Sequence, residues 1–127
     1  MKQVLLAAAV LSLALIACDD KKSSGAARSG ATADAIKASC NSPKLGVCTD
    51  YTEAAFVLGE ELVKTACTET KGSWSPAKCV GEKRLGSCNM EGSIRHYYPG
   101  GDFDYSAASA KTDCTDLFSG KWVASAK

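Results

Sequence analysis

The chain has one histidine, no cysteines spaced C-x-x-C and no Gly-x-Ser-x-Gly elbow, and each absence removes a class of chemistry. Zinc centres and thioredoxin-like redox sites usually bring two thiolates together through C-x-x-C. A serine hydrolase would need His96 beside a nucleophile that no motif announces. His96 lies among Arg95, Tyr97 and Tyr98, a strand pattern with mixed faces, and reads as a surface residue. Asp102 and Asp104 in GGDFD start like a calcium loop, but EF-hand spacing is lacking and a glycine turn explains the stretch. Neither an enzyme nor a metal or other cofactor is expected. An excess of one charge is lacking too: fifteen Lys plus Arg face fourteen Asp plus Glu. Without a basic stripe, neither nucleic acid nor an anionic membrane face is an expected electrostatic partner. Lys83 with Arg84 and Glu60 with Glu61 read as solvated faces.

No apolar run is long enough to span a bilayer. The longest, Val4 to Ala17, has about fourteen residues where roughly twenty are needed. With Lys2 before it and small residues near its end, it has the layout of a secretory signal, residues 1–17. Leu15, three residues before a cut at Cys18, fits ordinary signal peptidase badly. Leu15, Ile16, Ala17 and Cys18 resemble the lipobox of bacterial lipoproteins. That resemblance implies cleavage before Cys18, a thioether-linked diacylglycerol on its sulfur, and an amide-linked acyl chain such as palmitate on its nitrogen.

Cysteine parity agrees. Seven cysteines are present, and an odd number in an exported chain leaves one to explain. Acylation of Cys18 leaves six that can pair fully. Removing Lys2 with the signal leaves fourteen charges of each sign, so the mature chain is formally neutral. Each buried methylene contributes roughly 0.8 kcal/mol, so two or three acyl chains hold a protein at its membrane essentially permanently. The expected location is the bacterial cell envelope, lipid-anchored and facing the periplasm or cell surface. Asp19 resembles the signal that retains enteric lipoproteins in the inner membrane.

Residues 18–38 are rich in Ser, Gly, Ala, Asp and Lys, with no aromatic residue. Such a composition buries too little apolar surface to offset its ordering entropy. The segment reads as a tether reaching on the order of 25 Å, with room for a helical turn at Ala33 to Ala38.

The remaining domain, 39–127, contains echoes: KLGVC at Lys44 to Cys48 with RLGSC at Arg84 to Cys88, KTAC at Lys64 with KTDC at Lys111, and GSWSPAK at Gly72 with GKWVASAK at Gly120. These suggest two internal repeats, about 40–79 and 80–127. Each reads as two strands, a helix and a last strand. In the first repeat the strands are LGVC and AAFVL at Ala54 to Leu58; in the second they are LGSC and IRHYY at Ile94 to Tyr98. The first helix presents Leu62, Val63, Ala66 and Cys67 inward. The second, capped by Ser106, presents Ala107, Ala110, Cys114 and Phe118. Gly72 and Gly120 stop the helices, and Trp74 and Trp122 serve as matched core anchors. The expected fold is α+β, two tandem β-β-α-β units stapled by disulfides.

Six cysteines allow fifteen connectivities. If equivalent cysteines pair equivalently, Cys48 joins Cys67 and Cys88 joins Cys114, leaving Cys40 with Cys79 as a clasp between the copies. Each bridge should contribute roughly 3 to 4 kcal/mol in the chain-entropy model.

Measured from strand cysteine to helix cysteine, the second copy is about seven residues longer than the first. The extra length falls around a stretch with Arg95, His96, Tyr97, Tyr98, Asp102, Phe103, Asp104 and Tyr105, a candidate binding surface of aromatic and charged groups. The order LGxC, strand, KTxC, G-x-W is similar to small cysteine-rich tandem modules in bacterial lipoproteins without established activity. The expected function is a membrane-anchored envelope lipoprotein with a non-catalytic binding or structural role toward an envelope protein or glycan. The alternative is an inhibitor of a secreted hydrolase such as a lysozyme or protease, a role that small disulfide-stapled envelope lipoproteins sometimes fill.

Overall fold

The computed structural model describes residues 35–127. The expected signal segment, Cys18 and the expected tether up to residue 34 lie outside the described residues. The fold is α+β: one antiparallel six-stranded sheet, two short helices and three disulfides.

In chain order the elements are β1 (Ile36–Ser42), β2 (Val47–Thr52), α1 (Glu60–Glu69), β3 (Ser73–Ser75), β4 (Gly86–Met90), β5 (Ser93–Tyr97), α2 (Ala107–Thr112) and β6 (Lys121–Ala124). Across the sheet the order is β3-β1-β2-β5-β4-β6, so β2 and β5 form the centre. Turn chemistry sets the hairpins. Pro43 fixes the start of a 3-10 turn between β1 and β2, and Gly46 at φ 70° closes it, its N–H donating to the Pro43 carbonyl at 3.1 Å. Gly92, at φ 76°, turns β4 into β5. Helix α2 starts on a reciprocal cap between Ser106 and Ser109. It continues into a π-helical turn, Asp113–Leu117.

Cross-strand partners share a face of the sheet. Cys40 lies opposite Thr49 and Trp74, and Cys88 opposite Arg95 and Trp122. Both cysteines face the helices. There Val47, Cys88, Tyr97, Ala110 and Cys114 form the buried core, with Leu45, Leu85, Met90, Tyr105 and Trp122 packed around it. Trp74 stacks on Tyr51 at 5.7 Å, and Trp122 lies 5.7 Å from Tyr97. Both indoles are half-buried, less enclosed than core anchors would be.

The bridges are Cys40–Cys67, Cys48–Cys79 and Cys88–Cys114. Only Cys88–Cys114 matches the expected pairing; Cys48 with Cys67 and Cys40 with Cys79 are corrected. The reason is strand direction. Cys40 and Cys67 both face the space between sheet and α1, whereas Cys48 points to the opposite face and cannot reach a helix cysteine.

Other expectations also change. AAFVL is not a strand: Glu53–Phe56 is a 3-10 turn, and Val57 and Leu58 are more than 80% exposed. Strand β1 instead begins at Ile36, inside the expected tether, where no helical turn forms at residues 36–38. Leu62 and Ala66 of α1 are exposed, leaving Cys67 as that helix's buried residue, and Ala107 and Phe118 are also exposed. The left-handed residues after the helices are Lys71 and Ser119. Gly72 and Gly120 follow them for a different reason: a Cβ on either would strike disulfide sulfur.

Candidate functional site: a polar network under a clasped crossover

Residues 76–85 connect β3, at one edge of the sheet, to β4 beyond its centre. They cross the face opposite the helices. Ser39 Oγ donates to the Ala77 carbonyl at 2.6 Å, and the Tyr98 hydroxyl donates to the Val80 carbonyl. The Cys48–Cys79 bond ties the middle of the crossover to central strand β2.

Beneath the crossover lie three buried polar side chains from three adjacent strands: Asp50 of β2, His96 of β5 and Ser87 of β4. Cys48 and Ser87 both lie opposite His96, and Asp50 is its diagonal neighbour through Ile94. Asp50 Oδ2 is 2.8 Å from His96 Nε2, and His96 Nδ1 is 2.7 Å from Ser87 Oγ. Asp50 Oδ1 accepts from the Cys79 backbone N–H at 2.8 Å. An ionised carboxylate only accepts, which puts a proton on Nε2; in the neutral imidazole Nδ1 then accepts from the Ser87 hydroxyl.

His96 is therefore 4% exposed, not the surface residue its neighbours suggested. The alternating character of β5 is real, but the crossover covers the face that His96 shares with Asp50. Asp50 and Ser87 escaped the sequence reading. An aspartate inside VCTDYT, at an unusual place for a strand, was the available signal; Ser87 offered none.

The line Asp50–His96–Ser87 has the residue types and hydrogen-bond logic of a hydrolase triad, in which an oriented imidazole draws on a serine proton. The setting differs. Ser87 is buried in mid-strand, paired on one side with His96 and on the other with Val123. An oxyanion hole built on backbone N–H groups needs donors free to face substrate, and the ladders on both sides of Ser87 engage them. What the network does is satisfy buried polar groups while fixing β2, β4, β5 and the crossover to one another.

Asp50→Ala is accordingly expected to cost about 2 to 4 kcal/mol, because it orphans both the His96 Nε2–H and the Cys79 N–H. Urea unfolding of the oxidised protein measures it. A change below about 0.5 kcal/mol, usual for an unimportant surface position, would contradict a shared structural network.

The eight expected binding residues do not form one patch. Successive residues of β5 alternate across the sheet, so Arg95 and Tyr97 face the helices while His96 and Tyr98 lie under the crossover. Tyr97 is wholly buried. Asp102 pairs with Lys44 at 3.7 Å on the surface, and Asp104 adopts φ 41° in the exposed turn. Arg95, Phe103 and Tyr105 do come together. With Asp113, Leu117 and Phe118 they line most of a groove of about 670 Å³ beside α2.

The groove has an organised floor. The Arg95 guanidinium lies 4.8 Å from the Phe118 ring centroid and 5.7 Å from that of Tyr97. Among the described residues Arg95 makes no ion pair, and its Nε is buried without a partner. Asp113 Oδ2 accepts from the hydroxyls of Tyr97 at 2.9 Å and Tyr105 at 3.2 Å. Burial, reinforced by Asp113, pushes both phenols above their usual range, so each stays a donor. The rim is apolar: Phe103 is 61%, Leu117 74% and Phe118 40% exposed.

Comparison of the chain with protein-family models, curated proteins and solved structures finds no match.

Proposed function

We propose that the chain is a lipid-anchored envelope protein whose folded domain holds an envelope protein or glycan in the groove beside α2, with no catalysis of its own. The observation that carries the binding role is the groove itself. Phe103, Leu117 and Phe118 stay exposed around Arg95, which makes no ion pair among the described residues, on a disulfide-stapled frame, and clustered exposed apolar groups of this kind mark recognition sites. Arg95 suits a ligand that sets a carboxylate beside an apolar surface. The lipobox at Leu15 to Cys18 and the pairing of all six remaining cysteines support the anchor and an oxidising compartment.

The same proposal takes the domain as two related β-β-α-β units, β1-β2-α1-β3 and β4-β5-α2-β6. What supports this is a set of correspondences different from the sequence echoes first noticed. Ser39-Cys40-Asn41 on β1 corresponds to Ser87-Cys88-Asn89 on β4, and Asp50-Tyr51 on β2 to His96-Tyr97 on β5. The strand-to-helix bridges then span 27 and 26 residues, and the apparent seven-residue extension of the second copy disappears. The local dyad would pass through the Thr49 and Arg95 pair of the two central strands.

The test is binding of the soluble domain to peptidoglycan sacculi, to purified envelope proteins, and to lysozymes and proteases assayed for inhibition. Phe103→Ser with Leu117→Ser should reduce retention on the true partner by about 30-fold or more, the loss of one strong interfacial anchor. Retention on sacculi or a structural envelope protein, abolished by the pair, supports the proposal. Inhibition of a hydrolase through the same groove would replace it with the inhibitor reading. Unchanged binding in the double variant would reject the groove.

A further inference from the structure

The crossover disulfide sits among metal-ligating groups that the binding proposal does not use. Cys79 Sγ, a ring nitrogen of His96 and an Asp50 carboxylate oxygen all lie within 4.8 Å of one another, and Nε2 is the nitrogen on the Asp50 side, 2.8 Å from its Oδ2. Cys48 adds a fourth donor, since its sulfur is bonded to that of Cys79 and its strand position lies opposite His96. Two sulfurs, one imidazole and one carboxylate are a tetrahedral zinc donor set. Spacing hid it: the four residues come from β2, the crossover and β5, and no two form a C-x-x-C motif.

We propose that Cys48, Asp50, Cys79 and His96 form a zinc site that is closed by the Cys48–Cys79 disulfide and opened by its reduction. In the oxidised protein both sulfurs are spent on each other, and the Nε2–H of His96 is given to Asp50. A dithiol reductant transfers two electrons to the bond, becomes a disulfide itself, and leaves Cys48 and Cys79 as thiols. Zn2+ then takes both as thiolates and takes the Nε2 lone pair of His96, whose proton moves to Nδ1 and is donated to Ser87 Oγ. Two protons are released for each ion bound. Ser87 thereby orients the ligating imidazole from behind, and Asp50 supplies an oxygen.

Access favours this bridge over the other two. Cys40, Cys48, Cys67, Cys88 and Cys114 are all buried, and Cys79 is the least enclosed of the six bridged cysteines, on a connection without regular secondary structure. Thiol exchange requires in-line approach to a sulfur, so exposed bonds are the labile ones.

The experiment uses the full mature domain with limiting dithiol. Alkylation and peptide mapping should find Cys48 and Cys79 free while Cys40–Cys67 and Cys88–Cys114 remain bonded. The selectively reduced protein should bind one Zn2+, in competition with a chromophoric chelator, at least about 100-fold more tightly than the oxidised protein. Co2+ in place of Zn2+ should give tetrahedral d–d bands with thiolate charge transfer. His96→Gln should weaken binding at least about tenfold, no less than the loss of an orienting partner costs. If that variant does not fold, protection of Cys48 and Cys79 from alkylation by Zn2+ in the unmodified chain decides. Opening of another bridge first, equal affinity before and after reduction, or Zn2+ that leaves both thiols fully reactive would each overturn the site.

Discussion

A Gly120→Ala chain is expected to lose about 2 to 5 kcal/mol of stability, the range for removing a native bridge from a small domain, although the substitution touches no cysteine. A Cβ built on Gly120 would lie 2.3 Å from Cys88 Sγ and 3.2 Å from Cys114 Sγ. Both cysteines are fully buried between α2 and the sheet, so the sulfur cannot step aside without moving β4 or the helix. Less chain freedom in the unfolded state would favour alanine by about 0.4 to 1 kcal/mol, and the clash outweighs that. Gly81 is the internal control. It lies in the crossover with nothing within 4 Å of a built Cβ, so Gly81→Ala should be neutral or slightly stabilising. Denaturant unfolding of both variants, with thiol counting, separates the two cases. Equal effects from Gly120→Ala and Gly81→Ala would show that the disulfide does not rest on the glycine. Gly72 stands in the same relation to Cys40 and Cys67, with sulfurs at 2.6 and 2.8 Å.

That glycine also explains which parts of the fold were legible in the chain. The echo of Gly-x-Trp after KTxC was visible because four constraints coincide there: a helix end, a close approach to sulfur, a strand start and an aromatic contact. The Ser106 cap was legible for a similar local reason. The LGxC echo misled because two unrelated demands produce the same letters. Gly46 supplies a left-handed turn before β2, whereas Gly86 lies inside β4 where Trp122 leaves no room for a Cβ. Treating the two glycines as equivalent sets Cys48 of β2 against Cys88 of β4 and gives Cys48 a helix partner that its side of the sheet cannot reach.

The buried network was harder to read because nothing local requires it. Asp50, Ser87 and His96 are brought together by the β2-β5-β4 order, and their burial depends on a ten-residue crossover pinned by one disulfide and by hydrogen bonds with Ser39, Asp50 and Tyr98. Alternation along β5 predicted two faces; it could not say that both would be covered, one by α2 and its π-turn and the other by the crossover. The groove was half legible. Phe103 and Tyr105 stood out as aromatic residues in a glycine turn, while Phe118, one turn past a helix cysteine, looked like core and Leu117 gave no signal.

Cys18→Ala is expected to remove every acyl chain and to leave an uncleaved precursor, an all-or-none effect. The expectation follows from the lipobox resemblance, in which the signal peptidase acts on a cysteine already carrying its diacylglycerol. It is sharpened by the disulfides. Cys40, Cys48, Cys67, Cys79, Cys88 and Cys114 are each committed to a partner, so a Cys18 that escaped acylation would be the one cysteine left unpaired in the mature chain. The two readings differ in a measurement that needs no knowledge of function. A lipid-anchored protein gives a mature mass raised by its acyl chains and no iodoacetamide-reactive thiol without reduction; a plain secreted one gives an unmodified mass and one reactive thiol. Fractionation of the wild type should find it wholly with membranes, since two or three buried chains at roughly 0.8 kcal/mol per methylene hold far more firmly than the marginal binding of a single chain. The variant should show the mass of the uncleaved precursor with the same three bridges. Recovery of a normally cleaved, soluble mature chain from Cys18→Ala would remove the anchor and leave the groove and the crossover network as they stand.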